Sequence, residues 1–295
     1  MSSFCFNFSV ENDDVSRKKD DFDEPQLKKS KLGEEVAAFK EIEAETCETA
    51  YSDEVEVIRY NLSDAITVSC YDATEIEKIM KKEKNCTSVV VKATSDQSDL
   101  IPNQYEGGLT VWECGIDLAT YMAENVDVKG HAVLELGCGA GIPGICAIYQ
   151  GADAVHFQDY NSEVIEEYTI PNTIGLNMKE DLECEMKFFS GDWLSFATEF
   201  DPDKKYDTIL TAETIYNPDN YQKLHDVFTS HLETDGTIYV AAKSNYFGVG
   251  GGTRLFENFI ASKGQFTCNM CHSISAGVPR EIMQLAWKKK EKDKT

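Results

Sequence analysis

The 295-residue chain lacks any run approaching the roughly 20 apolar residues that a membrane-spanning helix needs. Its first ten residues lack the basic flank of a secretory signal. Neither a membrane protein nor a secreted one is expected. Positive charge is also scarce: 28 Lys and Arg stand against 52 Asp and Glu, a formal net charge of −24. The excess is not confined to a tail, because residues 1–100 carry −10 and residues 101–295 carry −14. Such a field repels nucleic acid and anionic membrane and favours a basic macromolecular partner, for which a protein substrate rich in Lys and Arg fits. Solubility alone is the competing explanation. The five histidines show no ligand spacing. Cys268-Asn269-Met270-Cys271-His272 has the haem-attachment form, but neither a signal peptide nor the second Cys pair of a zinc site accompanies it. No metal site is expected. The ten cysteines are scattered through apolar segments, which reads as reduced, mostly buried thiols inside a cell.

What is present is 42% hydrophobic residues, enough to bury one large core with an appendage. Residues 1–50 read as a disordered acidic tail. Two basic clusters in it, Arg17-Lys18-Lys19 and Lys28-Lys29-Ser30-Lys31, have the form of a weak bipartite nuclear-import signal, or belong to a plain charged tail. Residues 51–100 read as a small N-terminal β-rich appendage. Its strands are expected at Val55–Tyr60, Ala65–Val68 and Ser88–Val91, with a helix from Ala73 to Lys84. Residues 101–290 begin with a loop and a helix over Glu113–Asn125, then alternate strand and helix. Strands are predicted at Ala132–Leu136, Ala154–Gln158, Glu185–Phe189, Tyr206–Thr211, Thr237–Lys243, Gln265–Cys271 and Glu281–Trp287. Helices are predicted near 142–150, 162–178 (disturbed by Pro171), 193–199, 218–232 and 251–263. This is an α/β layout, a Rossmann-like seven-stranded, mostly parallel sheet with an antiparallel last strand. Ligands of such sheets lie beyond the carboxyl ends of the strands, where strand order reverses.

Chemistry-bearing residues gather at those ends. The first strand runs into Gly137-Cys138-Gly139-Ala140-Gly141, whose glycines permit positive φ and close backbone approach. The spacing is neither a dinucleotide fingerprint nor a P-loop. The second strand ends at Asp159, about 20 residues on, where a carboxylate can grip ribose hydroxyls. The third ends in Gly191-Asp192-Trp193, an acid for an adenine amine and an indole to cover the ring; each Asp is also a candidate helix N-cap. With no basic clamp for a pyrophosphate, S-adenosylmethionine fits better than NAD. Glu135 is then placed to anchor its ammonium, and Trp112 to face its sulfonium, unless that indole is a core anchor. The fourth strand leads into Ala212-Glu213-Thr214-Ile215-Tyr216-Asn217-Pro218, a polar lip for a substrate. The run Phe247-Gly248-Val249-Gly250-Gly251-Gly252 is a cleft wall or a long loop. His156, between Val155 and Phe157, reads as a core residue.

Five stretches now carry a resemblance: Tyr105 to Cys114, Leu136 to Gly139, Gln158 to Asn161, Glu213 to Pro218 and Tyr246 to Gly252. Together they resemble the histidine protein methyltransferase family of seven-β-strand, S-adenosylmethionine-dependent enzymes, over roughly residues 98 to 287. The resemblance implies methyl transfer to a ring nitrogen of a histidine in a large-subunit ribosomal protein, with residence in cytoplasm and nucleus or nucleolus. It implies cofactor contacts at Trp112, Glu113, Cys114, Gly115, Gly137, Asp159, Tyr160, Asn161, Gly191, Asp192, Trp193 and the backbone at Ala212; Glu135 and Gly139 join them from the residue-level reading. The family often has Asp at the place of Glu135 and Ser at that of Ala212. Imidazole, with an ordinary pKa near about 6.5, already carries a lone pair at neutral pH, so the site needs alignment and a tautomer-fixing acceptor rather than a strong base. Glu213 and the Asn217 amide are the candidates. A monomer is expected. The alternatives are a lysine methyltransferase of the same fold and a non-catalytic module that binds ribosome precursors.

Overall fold

The computed structural model describes residues 37–83, 88–95, 101, 104–179 and 182–289. Both basic clusters of the N-terminal tail lie outside the described residues. Within them the tail expectation needs one correction: residues 37–50 are placed, and Lys40–Ile42 form strand β1. Three residues are too few to show a period, and their partner is remote in sequence. β1 pairs antiparallel with β6 (Glu185–Ser190), and Phe39 stacks against Phe189 at 5.6 Å between ring centres.

After β1 come strands β2 (Val57–Asn61) and β3 (Thr67–Tyr71), an antiparallel pair, and helices α1 (Ala73–Glu83) and α2 (Val89–Ser95). The expected third strand, Ser88–Val91, is thus helical. Short β-branched runs do not distinguish a strand from a buried helical turn by periodicity. Here the Ser88 hydroxyl oxygen accepts from the Val91 N–H at 3.2 Å, an N-cap that starts the helix. This layer shares its core with the rest: Val68, Cys70, Ile76 and Val90 belong to the same buried cluster as Val133 and Phe157.

The main sheet is built from β4 (Ala132–Leu136), β5 (Ala154–Asp159), β6, β7 (Tyr206–Ala212), β8 (Leu232–Lys243), β9 (Phe266–Ile274) and β10 (Arg280–Trp287), in the order β1-β6-β5-β4-β7-β8-β10-β9. Strands β4 to β8 run parallel; β10 is antiparallel to both of its neighbours. The fold is therefore a Rossmann-like α/β sheet with the expected antiparallel last strand, and β1 makes it eight-stranded instead of seven. β8 starts five residues before the expected Thr237, its register shifting between Tyr206 and Thr208 on β7. A bulge there carries the polar run Glu233 to Gly236, which reads as a turn in sequence.

Helices α3 (Glu113–Asn125), α4 (Ile142–Tyr149) and α5 (Ser162–Val164) cover one face, and α6 (Trp193–Glu199), α7 (Tyr221–His231) and α8 (Thr253–Lys263) the other. α5 widens into π-helical turns over Ile165–Thr169 and Pro171–Asn177. Pro171 has no N–H to give the i−4 carbonyl, so the ladder is re-spaced around it. Side chains alternate across β4: Val133 faces the α3/α4 layer, and Leu134 and Leu136 face the other. Phe157 and Phe188 stack at 5.3 Å, both buried. Fully burying each contributes about 1.5–3 kcal/mol. His156 is a core residue: its Nδ1 pairs with the Tyr206 hydroxyl at 2.7 Å, and burial pulls its pKa down to about 3.

Candidate cofactor and acceptor site

The chain leaves β4 toward β5 and β6 on one side and returns to β7 and β8 on the other, so strand order reverses between β4 and β7. Beyond the carboxyl ends of these strands lies a cleft of about 950 Å³, the open solvent at its mouth included.

Two glycines let the β4 loop come close to whatever occupies the cleft. Gly137 has φ 63° and Gly139 φ 49°. A Cβ at Gly137 would sit 2.6 Å from Thr214 Cγ2, and one at Gly139 2.9 Å from the Gly108 carbonyl oxygen. Any side chain there would both strain the backbone and collide with these neighbours.

Glu135 reaches the cleft from the α4 side of β4. Its Oε2 accepts from the Gly144 N–H at 2.8 Å, yet burial pushes its pKa up to about 8. A Cβ on Gly144 would lie 2.7 Å from that same oxygen and 2.3 Å from Phe157 Cε1, so glycine keeps this contact possible. Asp159 is buried at the end of β5. Its Oδ2 accepts from the Gly139 N–H at 2.9 Å, and burial raises its pKa too. Asp192 is both things the sequence allowed, a cleft residue and the N-cap of α6: Oδ1 accepts from the Leu194 N–H at 2.8 Å and Oδ2 pairs with Lys223 Nζ at 2.7 Å. Trp193 lines the cleft with its Nε1 donating to Gln158 Oε1 at 2.9 Å; Gln158 in turn donates to the carbonyl of Gly191 at 2.8 Å. Trp112, Gly115, Tyr160, Gly191, Ala212 and Glu213 line it as well. The Trp112 indole donates to the Gly107 carbonyl at 3.1 Å.

Four expected residues are not brought into the cleft. Glu113, the first residue of α3, is exposed and pairs with Arg280 at 3.2 Å. Cys114 is fully buried behind the wall, its thiol held well above its ordinary pKa by burial and by Glu213. Asn161 Nδ2 donates to the Gln104 carbonyl at 2.7 Å, fastening the preceding loop. Asn217 spends its side-chain oxygen on the Asp219 N–H at 3.0 Å, a cap rather than an acceptor contact. Glu213, which does line the cleft, is the acid at the lip. It is a non-glycine residue at φ 58°, with its N–H bonded to the Ala241 carbonyl at 2.9 Å. Its Oε2 accepts from the Tyr246 hydroxyl and its Oε1 lies 3.5 Å from Lys243 Nζ. Burial and the Glu213 charge hold Tyr246 well above its ordinary pKa, so it stays a donor.

The site residues not expected from sequence are Gly107, which lines the cleft, Gly108, which lies against Asp159 and Gly139, and also Gln158, Lys223 and Lys243. Gln158 had a signal, an amide ending a buried strand; the two lysines had none, since only the fold brings them to the acids.

Among the described residues that line the cleft are five carboxylates and neither Lys nor Arg. A pyrophosphate is poorly matched by that set. A nucleoside bearing an ammonium and a sulfonium is well matched. A doubly wound sheet with this loop, these strand-end acids and this charge pattern defines the S-adenosylmethionine-dependent methyltransferase class, and S-adenosylmethionine is the cofactor. The chain belongs to the lysine methyltransferase family, whose profile matches residues 94–252. Its relatives include histidine protein methyltransferase 1 homologs of mouse, 42% identical over 68% of this chain, and of Dictyostelium discoideum, 41% identical over 64%. The chain spans 62% and 61% of their lengths. Among solved structures, a ribosomal protein L11 methylase from Lactobacillus delbrueckii aligns over 78% of this chain and 99% of its own, at 19% identity and a TM-score of 0.48.

Proposed function

We propose that this chain is a protein-histidine N-methyltransferase, and that its acceptor is a histidine of a basic large-subunit ribosomal protein. The carrying observation is the cleft, rich in carboxylates and without a cationic lining, in a chain 42% identical to a mouse protein named for histidine methylation. S-adenosylmethionine, when bound, supplies a methyl group activated by a positively charged sulfur. The chain's residues do the rest. Glu135 is the partner for an ammonium, Asp159 for ribose hydroxyls, Asp192 for an amine on the purine, and Trp193 gives the ring an apolar cover. Glu213, the acid left at the lip, accepts from the far N–H of an imidazole and so presents the other nitrogen with its lone pair free. The net charge of −24 draws a basic protein toward the site. The working unit is a monomer of cytoplasm and nucleus or nucleolus, with the basic clusters near residues 17 and 28 as the import signal.

The test is incubation with labelled cofactor and ribosomal proteins from cells lacking this chain, followed by amino acid analysis. Label in methylhistidine is the expected result; label in methyllysine overturns the acceptor assignment. A calorimetric titration with S-adenosylhomocysteine that gave no heat would favour a non-catalytic binding module instead.

A further inference from the structure

Behind the lip of the cleft lies a buried cluster that the account above leaves unused. Lys243, the last residue of β8, is buried at 7% exposure. Its Nζ is 3.5 Å from Glu213 Oε1, 5.3 Å from the centre of the Trp112 ring and 5.7 Å from that of Tyr246. Tyr246 closes the cluster: its hydroxyl donates to Glu213 Oε2 and accepts from the Lys243 N–H at 3.2 Å. Both oxygens of the lip carboxylate therefore face groups of this chain, and an ammonium already sits against the Trp112 indole. Glu213 and Trp112 line the cleft, whereas Lys243 stands behind them.

An acid beside an indole is otherwise a good receptor for a cation. A lysine side chain, with an ordinary pKa near about 10.4, would arrive as one, whereas imidazole at neutral pH is mostly uncharged. Lys243 cancels the acid's charge and uses the indole's attraction. A second cation brought to within about 6 Å of it, in partly buried surroundings, is disfavoured by roughly one to two decades. Resting on the protein-histidine reading, we propose that Lys243 is a specificity-determining residue: by neutralising Glu213 and covering Trp112 from behind, it makes the acceptor wall take an uncharged imidazole and turn away the ammonium of a lysine. The family at large is described by lysine methylation, so a device of this kind separates acceptors on a shared fold.

The probes are imidazole and n-butylamine, titrated at pH 8 into the protein saturated with S-adenosylhomocysteine and followed by NMR. The wild type is expected to prefer imidazole. Lys243→Met, which leaves Glu213 and Trp112 uncovered, is expected to shift the ratio of the two dissociation constants at least tenfold toward butylammonium, and Lys243→Arg to keep the wild-type preference. Lys243→Gln serves as a second uncharged variant should the Met variant fail to give a cooperative melt. An unchanged ratio in a folded uncharged variant, or a wild type without preference for imidazole, overturns the inference. Methyllysine produced by the wild type on ribosomal protein would instead overturn the proposed acceptor, so the two failures are told apart.

Discussion

Ligand binding to this cleft should depend on pH through Glu135. The carboxyl is buried on the floor of the site, and its pKa is pushed up to about 8 because a single backbone N–H, that of Gly144, does not replace the water it has lost. An ammonium needs the ionised form. At pH 7 about nine-tenths of the free protein carries this proton, so binding must release it at a cost of about 1.4 kcal/mol, a factor of ten in affinity. The sign follows directly: a raised acid pKa makes binding weaker below it. From pH 6 to pH 8 the ionised fraction rises from about 1% to about half, and affinity for S-adenosylhomocysteine should rise about fiftyfold. Calorimetry at several pH values, in buffers of different ionisation enthalpy, reads both the affinity and the released proton. Glu135→Gln keeps an acceptor for Gly144 and cannot ionise, so its affinity should be lower and nearly flat over the same range. A flat wild-type profile, or an equal slope in the variant, refutes the reasoning.

Three further outcomes follow from contacts described above. Gly144→Ala places a methyl 2.3 Å from Phe157 and 2.7 Å from the Glu135 carboxylate; overpacking of about 1–3 kcal/mol should lower the melting temperature by several degrees and weaken S-adenosylhomocysteine binding, and an unshifted melt would contradict the packing. Phe39→Ala removes a ring 5.6–5.9 Å from those of Phe189, Phe196 and Phe200, and a loss of about 1–3 kcal/mol is expected from chemical denaturation; no loss would mean that β1 is not part of the fold. Phe247, 85% exposed on the turn that Gly251 ties to the Tyr216 carbonyl at 2.9 Å, should accept Ser within about 0.5 kcal/mol, and a larger drop in stability would show that the ring is packed.

The parallel strands were legible because burial on both faces writes itself as continuous apolar runs between glycines and charges. Ala132–Leu136 and the helices Glu113–Asn125 and Trp193–Glu199 begin and end where the pattern places them. Local pattern failed where the deciding partner is far away. Lys40–Ile42 is a strand only because β6 offers an open edge, and Ser88–Val91 turns helical because its cap and its core contacts outweigh β-branching. The same holds in the site. Asp159 and Asp192 could be named from their places at strand ends, but Asn161 and Asn217, polar residues of equal promise, are spent on the backbone of neighbouring loops.

By itself, then, the sequence determined the layer architecture, the glycine loop and the acids that make a nucleoside with a positive charge the natural occupant, since these depend on periodicity and on residue type at the strand ends. Only the tertiary structure decided how those charges are balanced. It put Lys223 on Asp192, the Gly144 N–H on Glu135, and Lys243 beside Glu213 and Trp112. Charge is read from a sequence as a count, but its effect depends on separation and burial, and residues thirty or more apart in the chain, such as Glu213 and Lys243, meet only in the folded protein.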